Sequence, residues 1–154
     1  MREMTDMILK GEEFSSLFEV GVGSGYYLAD AYASGLKVGG LDIEQENIDT
    51  TRVRFPNCRD NFVLHDANIR PWGIKHRSYD IVFTVGTLFL LKEPFNALIE
   101  MAYISEKAQI FAEPETPEIL HMIDTLRKMG AKVEVKGHAL GKIVIKLFKD
   151  NLSL

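Results

Sequence analysis

Three glycines at alternate positions, Gly21, Gly23 and Gly25, are the residues whose type and spacing point most directly to chemistry. Glycine has no Cβ, so the backbone turns tightly there and a ligand can lie against it. An apolar run, Leu17 to Val20, leads into them, and a helical pattern follows, with Leu28, Ala31 and Tyr32 on one face and Gly35 placed to end it. Strand, glycine loop and helix form a nucleotide cradle, because the first turn of the helix offers unpaired N–H groups. The competing reading is a plain strand-to-helix turn. The dinucleotide fingerprint wants glycines at relative positions one, three and six, but here position six is Tyr26 and the third glycine comes one residue early. Two carboxylates frame the loop. Glu19 stands two residues before the first glycine, and Asp42 lies 21 residues after it. An acid in the second place accepts hydrogen bonds from ribose hydroxyls, or else caps the helix that starts near Glu44. No Gly-x-Ser-x-Gly elbow or phosphate-loop Gly-Lys-Thr/Ser occurs. His65, His76, His121 and His138 show no close ligand spacing, and Cys58 joins none of them, so no metal site is expected.

Positioning these residues requires an ordered set of strands and helices. Residues 1–11 read as a short amphipathic helix with Met4, Met7 and Ile8 on one side, placed to pack on the domain or cover the ligand. Leu36 to Ile43 is a second strand, residues 44–55 a helix ended by Pro56-Asn57, and Asn61 to His65 a third strand. Ile81 to Val85 is an apolar, β-branched run suited to a central parallel strand buried on both faces. Pro94 starts a helix with Phe95, Leu98, Ile99 and Ala102 as its apolar stripe. Gln109 to Ala112 is a fifth strand. Thr116 and Pro117 then begin a helix that ends at Gly130, with Leu120, Ile123 and Leu126 inward. Residues 131–136 and 142–148 read as two strands joined by a glycine-flanked loop, 137–141. With no helix between them, they pair as an antiparallel hairpin.

Composition narrows the function classes. At 154 residues the chain is one domain. The net charge of −4, with no Lys/Arg run longer than two, argues against nucleic acid as the main partner. The single Cys58 cannot form an internal disulfide, which fits a reducing compartment, hence the cytoplasm. No apolar run approaches membrane-spanning length, and the N-terminus mixes charge among its methionines, unlike a signal peptide.

The stretch Glu19-Val20-Gly21-Val22-Gly23-Ser24-Gly25 resembles the first motif, Glu-x-Gly-x-Gly-x-Gly, of class I S-adenosylmethionine-dependent methyltransferases. Tyr79 to Phe83 resembles the fourth motif. Gly86-Thr87-Leu88-Phe89-Leu90-Leu91 resembles the Gly-x-Leu-x-His-Leu that follows it, departing at Leu90. A doubly wound sheet closing in a hairpin matches that family's ending. The resemblance spans residues 15–149, with 1–14 as an N-terminal helical extension and 150–154 as a tail. It implies a Rossmann-like α/β fold with a seven-stranded, mostly parallel sheet. The implied cofactor is S-adenosylmethionine. Glu19, Gly21, Gly23 and Gly25 would hold its methionine and ribose parts. Asp42 would hold the ribose, Ile43 the adenine face, and Asp66 and Ala67 the adenine edge. Thr84, Val85 and Gly86 would lie beneath the methionine portion. Tyr26 and Glu113 are the candidates for a role at the acceptor, each with a packing or solvated alternative. The implied acceptor is a small molecule. With no insertion large enough for an acceptor lid, a second protomer is one source of it, so a homodimer is among the expected assemblies. A noncatalytic cofactor- or partner-binding protein and an NAD-dependent oxidoreductase stay open as alternatives, the latter opposed by the glycine spacing and the hairpin.

Overall fold

The structure, a computed structural model, describes residues 2–148. Its sheet has seven strands in the order β3-β2-β1-β4-β5-β7-β6. The strands are β1 (Ser16–Val20), β2 (Lys37–Asp42), β3 (Phe62–Leu64), β4 (Tyr79–Val85), β5 (Ser105–Pro114), β6 (Val133–Ala139) and β7 (Lys142–Phe148). Strands β1 to β5 pair in parallel, while β7 runs antiparallel to both β5 and β6, so the expected hairpin closes the sheet. The helices are α1 (Arg2–Leu9), α2 (Ala29–Ala33), α3 (Gln45–Arg54), α4 (Pro94–Ile104) and α5 (Pro117–Lys128).

Successive strand residues point to opposite faces, and both faces are covered. Phe18, Val82, Phe111 and Ile145 pack with Leu98 and Met101 of α4 and Ile123 and Leu126 of α5. Leu17, Ile81, Phe83, Ile110 and Val144 pack with Met4 and Ile8 of α1, Leu28, Ala31 of α2 and Ile48 of α3. A salt-bridged patch fixes the chain just after α1. The Glu12 carboxylate meets Lys136 and Lys146, each at 2.8 Å, and Lys136 also donates to the carbonyls of Ile8 and Lys10.

Three expectations are corrected. On α4 the buried face is Ala97, Leu98, Met101 and Ile104, whereas Phe95 is exposed. On α5, Ile119 and Met122 turn inward with Ile123 and Leu126, and Leu120 faces out. The loop expected at 137–141 shrinks to a turn at Leu140-Gly141. Gly137 to Ala139 instead extend β6 past a register shift between Val135 and Gly137. The expected tail, 150–154, lies outside the described residues, as does residue 149. Among the described residues, no helix is long and apolar enough to cross a membrane.

Candidate functional site

The glycine loop leaves the end of β1, beside the point where strand order reverses between β1 and β4. Open α/β sheets bind ligands at such a point, outside the strands' carboxyl ends. The amides of Gly21 and Val22 donate to the carbonyl of Leu41 at 2.9 and 3.0 Å, stitching the loop to β2. Gly21 has φ +72° and Gly25 φ +80°, both in the left-handed region. A Cβ on Gly21 would run into the Thr87 side chain, and one on Gly25 into the Phe55 ring and Thr51. Gly23 faces open space. The three glycines thus meet different demands, and Gly25 packs against the end of α3. The helix after them is shorter than its sequence pattern suggests: a 3-10 turn over Tyr26–Leu28, then five residues of α2.

Asp42 ties this loop to α3. Its Oδ2 accepts the Gly23 amide at 2.9 Å, while Oδ1 accepts the Glu44 amide at 3.0 Å and Asn47 Nδ2 at 3.2 Å. The carboxylate therefore starts α3 and shapes the glycine turn together. A carboxylate offers about four lone-pair positions, so one is left for a further donor. From the other end of α3, Arg54 donates to the Ser24 carbonyl at 2.9 Å.

Beside this loop lies a cleft of about 340 Å³, lined by Gly21, Leu41, Asp42, Ile43, His65, Asp66, Ala67, Asn68, Thr87, Leu90 and Leu91. Five of the residues expected from the sequence meet here: Gly21, Asp42, Ile43, Asp66 and Ala67. The Asp66 Oδ1 accepts the amide and Nδ2 of Asn68, and Asn68 in turn accepts from the Glu93 amide and Asn96 Nδ2 at the start of α4. Leu41, His65, Asn68, Thr87, Leu90 and Leu91 were not assigned to the cofactor from the sequence; Leu41 lies next to Asp42 on β2. His65 and Asn68 flank Asp66 directly, so proximity in sequence was a usable signal. The other three sit on the loop after β4, and only the fold brings them across.

Glu19 lies beneath the loop, 2% exposed, with Oε1 buried and no hydrogen-bond partner among the described residues. Burial pushes its carboxyl well above the ordinary range, and the Asp42 charge pushes the same way. On its other side stands Tyr27, whose hydroxyl is raised by burial and then by Glu19 and Tyr26. Tyr26 and Tyr27 meet edge to face at 5.5 Å. With Arg2, Thr5, Ala29 and Asp30 they line a second hollow of about 260 Å³, between α1 and α2. Tyr26 therefore faces this hollow and not the first cleft.

The family model described as "Methyltransferase domain" matches residues 18–111, which run from the strand under the glycine loop to β5. The chain belongs to this methyltransferase family. Comparison with curated proteins returned no match. Among solved structures, a Haloferax volcanii complex of the Trm112 methyltransferase activator with a methyltransferase aligns at a TM-score of 0.75 and 17% identity, covering 96% of this chain and 88% of that one. A TehB-like S-adenosylmethionine-dependent methyltransferase from Corynebacterium glutamicum aligns at 0.71 and 15% identity, covering 94% and 85%. An S-adenosylmethionine-dependent methyltransferase from Aquifex aeolicus aligns at 0.63 and 19%, covering 87% and 80%. At these identities the structures share the fold. The protein is an S-adenosylmethionine-dependent methyltransferase.

The remaining candidates of the methyltransferase are placed more deeply. Thr84 has no exposed surface, and its hydroxyl donates to the Val20 carbonyl at 2.9 Å, tying β4 to β1. Its side chain is part of the sheet's core. Val85 and Gly86 are half-buried, and Gly86 lies beside Lys142 and Phe89. Glu113 is wholly buried, so it offers no carboxylate at the surface for an acceptor. Its Oε1 accepts the amides of Thr87 at 3.2 Å and Leu88 at 2.7 Å, while Oε2 is buried without a partner among the described residues. Burial pushes its pKa up to about 7, against the pull of the Leu88, Phe89 and Thr87 amides and the Lys142 charge.

Proposed function

We propose that this methyltransferase holds the adenosine half of its cofactor in the 340 Å³ cleft and the methionine half above Gly21 and Glu19. The acceptor in this reading is a small molecule in the hollow between α1 and α2. The observation that carries it is Glu19: a buried carboxyl with an unpartnered oxygen, two residues before Gly21 of the cleft, with Asp42 of the cleft and Tyr27 of the hollow close enough to feel its charge or act on it. A buried polar atom left unpaired costs free energy, and a cationic ligand group beside it removes that cost. S-adenosylmethionine carries such an ammonium and supplies an activated methyl group on sulfur.

The residues present fit the cofactor. The free lone pair of Asp42 accepts a ribose hydroxyl. Ile43, 63% exposed at the rim, offers an apolar face to the adenine, and Asp66 keeps Oδ2 for an amino group at the adenine edge, next to Ala67. Gly23 keeps the loop face open. Val85 and Gly86 offer backbone beneath the methionine portion. The chain's contribution to the transfer is positioning, since holding two reactants in line converts a bimolecular step to an effectively unimolecular one. The hollow beside α1 presents two tyrosine rings, with Asp30 and Arg2 at its edge, and its volume suits a small molecule. The net charge of −4 works against a polyanionic acceptor.

The test is a thermal-shift titration with S-adenosylmethionine, S-adenosylhomocysteine and NADH side by side. A ligand that binds only the folded state raises Tm once its concentration exceeds Kd. Shifts with the first two alone, lost in Asp42→Asn, are expected. A shift with NADH alone would sink the reading. Turnover across a panel of small amines, phenols and carboxylates, diminished by Tyr27→Ala, then tests the acceptor hollow.

A further inference from the structure

Glu113 sits in a place that stability alone does not favour. It is an ionisable side chain with no exposed surface, at the end of β5, and one of its oxygens is buried without a partner. Burying a polar group without full hydrogen bonding costs free energy, and an apolar residue there would avoid it. What the carboxylate does make is specific. Its Oε1 accepts the amides of Thr87 and Leu88, 26 and 25 residues earlier in the chain. Those two residues open the loop that crosses from β4 toward α4.

That loop needs an anchor. Its own backbone bonds, Leu90 to the Thr87 carbonyl and Leu91 to the Leu88 carbonyl, are internal to one 3-10 turn and fix its shape rather than its place. Leu90 is 70% exposed and gains little from packing. Position comes from Leu88, which is buried, from the Gly86 amide on the Ala112 carbonyl at 2.7 Å, from the Thr87 hydroxyl, which donates to the Val20 carbonyl at 3.4 Å, and from the Glu113 carboxylate, the shortest of the side-chain contacts at 2.7 Å. The loop then does two things at the cleft. Its Thr87 side chain lies against Gly21, and Thr87, Leu90 and Leu91 form one wall.

We infer that Glu113 is a positioning residue for the cofactor: its carboxylate holds residues 87–91 against the Gly21 turn and so sets the width of the cofactor cleft. This rests on the cofactor assignment above. Glu113 does not touch the ligand. It acts through two amides, and the charged form grips them more strongly than a neutral acceptor does.

The experiment measures S-adenosylhomocysteine binding by calorimetry for the wild type, Glu113→Ala, Glu113→Gln and Leu126→Ala. Leu126 is fully buried in α5 and lines neither cavity, so its truncation shows what loss of core packing alone does to binding. In parallel, amide exchange of Leu88 is followed without ligand. The expected result is at least a tenfold weaker Kd for Glu113→Ala and a value within about threefold of wild type for Glu113→Gln, which keeps an acceptor for the amides. Leu126→Ala is expected to bind as wild type, and Leu88 exchange to accelerate in Glu113→Ala alone. If Glu113→Ala does not fold, Glu113→Asp replaces it, since one methylene less withdraws the carboxylate from both amides. Wild-type affinity in the folded Ala or Asp variant would overturn the inference. So would an equal loss in Leu126→Ala. Failure of the wild type itself to bind would instead overturn the cofactor assignment.

Discussion

Glu19 shows what a single residue contributes, and at what cost. Its folded-state pKa is raised, so the neutral form is favoured in the folded protein. Such a group stabilises the fold below its unfolded pKa and loses that contribution as pH rises through the folded value. Glu19→Gln removes the ionisation but keeps the shape. It is expected to be more stable than wild type at pH 8, by a margin that shrinks as pH falls toward the ordinary carboxyl range. The same variant is expected to bind S-adenosylhomocysteine about tenfold more weakly, because an amide cannot ionise against the ligand's ammonium as the carboxyl does on binding. Urea denaturation across that pH range and calorimetry check both halves. A variant that is more stable at pH 8 yet binds as well as wild type would separate Glu19 from the ligand. Glu19 and Asp42 were both legible in the sequence, because motif spacing reports which strand end a residue occupies. For Asp42 the helix-start reading is what the hydrogen bonds display: one oxygen begins α3, while the other holds the glycine turn.

At the scale of elements, the glycine loop is the test case. Gly25→Ala demands a left-handed φ from alanine and drives a methyl group into Phe55, so it is expected to cost about 2–4 kcal/mol of stability, read by denaturant unfolding. Gly21→Ala meets Thr87, so its strain passes to the loop of residues 87–91 and its binding loss should exceed its stability loss. Adding Thr87→Ala to Gly21→Ala frees space, and a double-mutant cycle should show the pair coupled by more than 0.5 kcal/mol or so. An additive cycle would mean that the contact carries nothing. The sequence spoke for element type and order because the apolar runs, Pro94, Thr116-Pro117 and Gly130 act locally. It misplaced the edge of each buried helix face: Phe95 and Leu120, expected inward, are exposed, while Ala97 and Ile119 are buried, because neighbouring apolar residues let the stripe be drawn one or two positions off. The dependence of residues 87–91 on Glu113 was not legible, since it arises from β4 and β5 lying side by side.

Over the whole molecule, three carboxyls set opposing limits on stability against pH. Burial acts on Glu12 first and upward, but the hydrogen bonds and charges of Lys136 and Lys146 outweigh it, leaving its pKa below the ordinary 4.5. A depressed group stabilises above its unfolded pKa and loses that contribution as pH falls through its folded value. Glu113, raised to about 7, does the reverse: its contribution is complete below about 4.5 and is lost as pH climbs through 7. A shift of that size corresponds to roughly 3 kcal/mol between the two limits, and Glu19 adds to the same limb. Stability is therefore expected to peak at mildly acidic pH and decline toward pH 8. Glu113→Gln should flatten the alkaline limb and leave the acid limb intact. Glu12→Gln should weaken the contact that fixes α1 against β6 and β7, lowering stability by about 2 kcal/mol near neutrality and shrinking the loss on acidification. Unfolding free energies measured by urea from pH 4 to 8 decide it. A wild-type curve that rises steadily from pH 5 to 8 would mean that Glu113 is ionised throughout, and a Glu113→Gln curve parallel to it would assign the alkaline limb elsewhere.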